Sequence, residues 1–295
     1  MPLINTISRV PVLLKNRTKL IRKRSAHRLR IFLNYILNKK AKEPIFIITA
    51  RRTGSNLLLE YLNSVHDVSF APEVLNKNMF YGLRGQFISK HAALRHIAYS
   101  IGYCKKNICG AKLVKVQLQH HGITLEDLKS YFPKARFIIL YRRSLLDQFV
   151  SLEIAKKTNT WQWTNQFRLP DSITIKVPEL TKFCGEIKQF YRDIFRHPWI
   201  KECSIALSYE ELTQSPQETF ERVVFPFLKL HPCQIVSSLK KQNTKKLHQI
   251  IQNYADIVPW IGHPLTHQDY SFSNHEENNS IQISRAVSQA AQRSF

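Results

Sequence analysis

Acid is scarce in this chain of 295 residues: 21 Asp and Glu stand against 44 Lys and Arg, a formal net charge of +23. Such a field draws anions, whether nucleotides, nucleic acid, phospholipid surfaces or acidic glycans, and does not choose among them. Residues 1–42 hold no acid and twelve of the basic residues, from Arg9 to Lys42. Cysteine occurs only five times (Cys104, Cys109, Cys184, Cys203 and Cys233), with no C-x-x-C spacing. The odd count and the spacings argue against a disulfide framework and a zinc site, and so for a reducing, cytoplasmic compartment. No apolar run approaches the roughly 20 residues that a membrane span needs; the stretch from Ile31 to Leu37 is short and includes Asn34. The amino terminus, its apolar runs broken by Arg and Lys, does not read as a secretory signal. Metal-ligand clusters, internal repeats and nucleic-acid-binding motifs are all missing from the pattern.

What is present suffices for a core. Hydrophobic residues make up 43% of the chain, which excludes global disorder. The length fits one α/β domain over 44–264, with a basic extension over 1–43 and a polar tail rich in Ser and Asn over 265–295. Within the extension, Leu29, Phe32, Leu33 and Ile36 recur at helical spacing between Arg28, Arg30, Lys39 and Lys40. This fits an amphipathic helix on an anionic membrane, which would make the protein membrane-peripheral. It also fits a solvated basic helix packed on the domain, the preferred reading at this point.

Pro44–Ala50 (P-I-F-I-I-T-A) and Arg136–Tyr141 (R-F-I-I-L-Y) are continuous apolar runs, the signature of buried parallel strands. Gly110–Val116 and Ser204–Tyr209 read as further strands. Helical patterns cover Ser55–Val65, His91–Gly102, Thr124–Tyr131, Leu145–Lys157, Pro178–Phe195 and about Pro216–Leu228. Strand and helix alternate, which argues for a parallel sheet with helices on both faces.

Two strand ends carry chemistry. After the first strand comes Arg51-Arg52-Thr53-Gly54-Ser55-Asn56, a tight turn that opens a helix. Free amides and the positive end of the helix dipole make such a turn an anion cradle, and the Arg guanidinium groups and the hydroxyls of Thr53 and Ser55 add to it. Gly54 allows close approach of the backbone. The turn is not a Walker A loop, because no lysine follows Gly54, which weighs against a nucleotide-dependent kinase. The second site is Arg143, at the end of the second strong strand, with Ser151 eight residues on. Both can grip one phosphate. The alternative is an Arg that caps carbonyls and a Ser that faces solvent.

Together the two stretches resemble the sulfotransferase family, especially the bacterial branch of trehalose, lipopolysaccharide and nodulation-factor sulfotransferases. The family's strand, R-[ST]-G-[ST], helix signature is matched by Arg52, Thr53, Gly54 and Ser55. Arg51 stands where a proline is common, and Asn56 where Thr is commoner. Arg143 and Ser151 match the second signature. Ser208–Leu230 and Lys240–Tyr254 are similar to its later segments, so the likeness covers about residues 44–257. The resemblance implies a P-loop-like three-layer fold with a central parallel sheet flanked by helices. It implies 3′-phosphoadenosine-5′-phosphosulfate (PAPS) as co-substrate, no metal, and a hydroxyl acceptor such as a sugar or glycolipid. Residues 51–56 would then bind the 5′-phosphosulfate, with Arg52 neutralising the leaving oxygen. Arg143 and Ser151 would bind the 3′-phosphate, and Lys241 and Gln242 would touch the nucleotide. Glu73 is the implied catalytic base, and partial burial would raise its pKa toward that task; His66 competes for the role. Trp161, Trp163 and Phe167 fit a sugar platform and a local core equally well. Two other functions compete: a kinase with a degenerate loop, and a non-catalytic nucleic-acid binder driven by charge, for which no recognised motif is found.

Overall fold

Five short strands rich in aliphatic residues form one parallel sheet in the computed structural model: β1 Ile45–Thr49, β2 Val68–Ala71, β3 Ile108–Val114, β4 Arg136–Tyr141 and β5 Ser204–Ser208. Their order is β2-β3-β1-β4-β5, parallel throughout. The structure describes residues 29, 31–37, 41, 43–76, 83, 88–102, 106–161, 168–239, 243 and 245–261. Most of the basic extension and all of the polar tail lie outside them.

The continuous apolar runs of β1 and β4 follow from their central place, since both of their faces are covered. Alternate side chains serve opposite cores. Phe46, Ile48, Phe137 and Ile139 pack with Ala93 and Ile97 of α3 (Lys90–Ile101), Leu128 of α5 (Leu125–Tyr131), Phe149 of α6 (Leu145–Thr158) and Tyr191 of α7 (Val177–Phe195). Ile45, Ile47, Ile138 and Leu140 pack with Leu58 and Leu62 of α2 (Ser55–Ser64), and with Leu212, Phe220 and Phe225. The three-layer α/β architecture expected from the alternation is what the chain adopts. Two shorter helices are α1, at residues 31–36, and α4, Lys115–His120, which continues β3.

The ends of the helices follow local chemistry. Thr124 caps α5 in a reciprocal box with Asp127. Ser144 caps α6 by accepting from the Asp147 amide, and Asn159 closes that helix in the left-handed conformation. Caps of this kind are each worth about 1 kcal/mol. The segment expected as one helix over Pro216–Leu228 is divided into Pro216–Thr219, a π-helical turn Phe220–Val224 and Phe225–Leu228. Pro226 has no amide to donate and crowds the preceding turn, so a regular ladder cannot run through it. The short edge strand β2 and helix α4 were not legible from periodicity. Cys109 is disulfide-bonded, whereas Cys184, Cys203 and Cys233 are free thiols. An odd count excludes only complete pairing, so the cysteine argument for a reducing compartment falls away. No helix of the described residues is long and apolar enough to cross a membrane.

The topology places a crevice. The chain leaves β1 into α2 on one face and leaves the adjacent β4 into α6 on the other. Between the carboxyl ends of two such strands an open α/β sheet presents its ligand site.

Candidate functional site

The turn between β1 and α2 is braced from beneath. Tyr191, wholly buried, donates from its hydroxyl to Leu140 O (2.7 Å) and accepts from the Ala50 amide (3.3 Å). Burial pushes this phenol well above the ordinary tyrosine value, so it stays a neutral tie between the two strand ends. The Gln148 amide, also buried, donates to Arg51 O at 2.6 Å. Thr53 turns inward: its hydroxyl lies 2.5 Å from that of Thr49 and bonds Ala50 O. Thr53 therefore contributes a buried strut, and its side chain is not offered to the cleft.

Two left-handed residues bend the loop, Arg52 at φ 65° and Gly54 at φ 77°. A non-glycine residue held there stores roughly 1–3 kcal/mol. Gly54 is required twice over, because a Cβ would fall 2.3 Å from Cδ2 of Tyr209. The close approach that glycine permits is thus made by an aromatic ring of the protein itself. The α2 ladder begins at Gly54 O, which accepts from Leu57 and Leu58. The amides of Ser55 and Asn56 precede it and emerge at the positive end of the helix.

Beside this turn lies a cleft of ≈ 1480 Å³. It exceeds the roughly 300–1,000 Å³ of a typical small-molecule site, so two reactants have room in it. Six Lys and Arg residues line it (Arg51, Arg52, Lys112, Arg142, Lys245 and Lys246) against two acids, Glu73 and Asp147. Arg52 donates from Nε to Ser151 Oγ (2.9 Å) and from Nη1 to Trp161 O (2.6 Å). Burial, with Arg142 close by, lowers its pKa to about 10, which leaves it charged at neutral pH. Arg142 lies over the Tyr209 ring, 4.6 Å from its centroid. Its buried Nε has no hydrogen-bond partner among the described residues. The Arg51 guanidinium sits 5.7 Å from the centroid of Trp161, which is 44% exposed and lines the cleft.

Opposite the turn, Glu73 is held by three donors. Lys112 Nζ stands 3.0 Å from Oε1, and Asn76 and Gln117 each donate to Oε2 at 2.7 Å. Lys112, 1% exposed in the middle of β3, also donates to Asn56 Oδ1 at 2.5 Å. Burial alone would push the Glu73 carboxyl up; Lys112 and the hydrogen bonds from Asn76, Lys112 and Gln117 together hold it below the ordinary carboxylate value. The direction is opposite to that expected from burial, because the sequence does not show that Lys112 meets Glu73. Burial in turn lowers the Lys112 pKa, and Glu73 opposes that shift.

Of the residues singled out from the sequence, Arg51, Arg52, Gly54, Ser55, Asn56, Glu73, Ser151 and Trp161 line one cleft. Arg143 is not among its lining residues. Its Nη2 lies 3.5 Å from Glu211 Oε1, and its amide donates to Glu210. Ser151 is engaged by Arg52, and of the two adjacent arginines it is Arg142 that lines the cleft. His66 is 90% exposed beside Asp67 and is not a lining residue. Lys241, Gln242, Trp163 and Phe167 lie outside the described residues, while the nearby Lys245 and Lys246 line the cleft. Sequence reasoning missed Lys112, Arg142, Gln117 and Tyr209. For Lys112 a signal existed: a lone charge inside the apolar run Gly110–Val114. Among the described residues no group of His, Cys, Asp and Glu could hold a metal ion.

No protein-family profile and no curated protein matches the chain. Among solved structures it is similar to a sulfotransferase from Alicyclobacillus acidocaldarius, with 14% identity over 69% of this chain and 87% of that one and a TM-score of 0.46. It is also similar to a mouse sulfotransferase complexed with PAP, with 13% identity over 66% of this chain and 61% of that one and a TM-score of 0.40. Likenesses this distant assign neither an activity nor a residue role to the chain.

Proposed function

We propose that this chain is a sulfotransferase that takes the sulfuryl group of PAPS and passes it to a hydroxyl, with a sugar or glycolipid as acceptor. One observation carries the reading: Lys112 touches both Asn56, at the head of the anion-binding helix, and Glu73, on the opposite wall. An anion cradle and a carboxylate thus meet across one buried cation. The Gly54 turn, Arg52 and the Ser55 and Asn56 amides would hold the 5′-phosphosulfate. Ser151 with Arg142 would take the 3′-phosphate, in place of the Arg143–Ser151 pair suggested by spacing. Lys245 and Lys246, next to Lys241 and Gln242, would add charge around the nucleotide. The exposed face of Trp161 suits a sugar ring.

In the reaction a bond forms between the acceptor oxygen and sulfur, the bond from sulfur to the bridging phosphate oxygen breaks, and the acceptor proton passes to Glu73. Negative charge gathers on the leaving phosphate. Arg52 and Lys112 would stabilise it. A carboxylate held at low pKa is a weak base, yet it suffices if the proton leaves late, because a hydroxyl bonded to the sulfuryl group is strongly acidic. Lys112 then has a second task, keeping Glu73 ionised and aimed.

Calorimetry with 3′-phosphoadenosine-5′-phosphate against ATP with Mg²⁺ tests the donor, and transfer from radiolabelled PAPS to a glycan panel tests the reaction. The 3′-phosphorylated ligand is expected to bind more tightly by at least about tenfold, a difference of 1.4 kcal/mol. Equal or tighter binding of ATP would reject the reading.

A further inference from the structure

Helix α1 has its polarity reversed. Asn34, the polar residue in its middle, is buried and donates from Nδ2 to Tyr99 O of α3 at 2.8 Å. Tyr35 packs edge-on against Tyr99, with ring centroids 5.4 Å apart, and Arg95 of α3 covers its ring. The helix is therefore docked on the domain by polar and aromatic groups. Leu29, Phe32, Leu33, Ile36 and Leu37 remain 45–59% exposed. Six of the eight exposed large hydrophobic residues among the described residues fall within 29–37. Scattered apolar residues need no explanation, but a concentrated patch marks an interaction surface.

The sequence around the patch states what can cover it. Residues 1–42 carry twelve Lys and Arg and no acid. We infer that α1 and its basic flanks form a docking surface for an anionic phospholipid bilayer. The aliphatic and aromatic side chains enter the boundary between headgroups and acyl chains, and the flanking cations meet the lipid phosphates. A second copy of this chain would bring one cationic arm against another. Nucleic acid would answer the charge but leave five apolar side chains in water. The basic helix packed on the domain, preferred from the pattern alone, accounts for Asn34 and Tyr35 and leaves the outer face unexplained. The docking does not depend on what the cleft does.

Co-sedimentation of the full chain with vesicles tests this. The protein should pellet with phosphatidylcholine–phosphatidylserine vesicles and not with phosphatidylcholine alone, and salt should release it. Soluble glycerophosphoserine should not compete. The double variant Phe32→Ser, Ile36→Ser should lower the partition coefficient by at least about tenfold, given that each loses several buried carbons, while its melting temperature stays that of the parent. Equal partitioning of variant and parent would overturn the inference. So would failure of the parent to bind either vesicle, or a dimer in vesicle-free buffer that the double variant abolishes. Should that variant melt early, Leu29→Ser alone, at the end of the helix, carries the same test.

Discussion

Replacing Lys112 by methionine keeps the length of the stem and removes the cation. Glu73 is then left with the Asn76 and Gln117 amides, each at 2.7 Å, and no opposite charge. Breaking a buried pair from one side costs about 3–5 kcal/mol. The Glu73 side chain is 23% exposed, and the burial penalty of Lys112 itself is relieved, so the cost falls below that range, to about 2–3 kcal/mol at neutral pH. The pH dependence follows from the direction of the shift. In the parent, the lowered Glu73 pKa stabilises the native state above the ordinary carboxylate range, and that contribution fades as pH falls through the lowered value. Without Lys112, only the Asn76 and Gln117 hydrogen bonds oppose the burial of the carboxyl, so its pKa moves up from the parent's lowered value and the contribution of the ionised form to stability shrinks. Urea denaturation of the parent, Lys112→Met, Glu73→Gln and the double variant, at neutral pH and near pH ~4, gives the full cycle. A coupling energy of about 2 kcal/mol at neutral pH that falls on acidification is expected; one below about 0.5 kcal/mol, or one indifferent to pH, refutes the pairing argument.

Gly54→Ala should destabilise the fold by about 2–4 kcal/mol, from the left-handed strain and the clash with Tyr209 together; denaturation midpoints read this directly, and a neutral effect would mean that the turn is plastic. Glu73→Gln should abolish sulfuryl transfer while affinity for 3′-phosphoadenosine-5′-phosphate survives, and unchanged turnover would reject Glu73 as base. Arg142→Ala should weaken that ligand by about 2–4 kcal/mol, as for loss of a charge-assisted pair in a partly enclosed site. Arg143→Ala should have a smaller effect in the same titration, because Arg143 is paired with Glu211, and the reverse order would restore the Arg143–Ser151 clasp.

The legible parts of this protein are those in which neighbours along the chain interact. β4 falls at Arg136–Tyr141 as read, α6 ends one residue beyond its expected limit, and the helix expected over Thr124–Tyr131 forms at Leu125–Tyr131 behind its Thr124 cap. The turn at residues 51–56 was visible because a tight glycine turn between an apolar strand and a helix is a local event. The four-residue edge strand β2 escaped, being too short to show a period. The division of the helix at Pro226 was available in the sequence and was overlooked.

The sequence by itself determined the alternating strands and helices, the excess of positive charge, and the turn at residues 51–56, since all of these depend on residue order and composition. Only the tertiary structure decided that Lys112 meets Glu73 across 39 positions of chain, that Thr53 turns inward while Arg142 turns to the cleft, and that Tyr209 closes over Gly54. The reason is physical: a strand's neighbours, and hence the partners of a buried charge, are set by sheet order and by which core each face joins. No local pattern of residues encodes that choice.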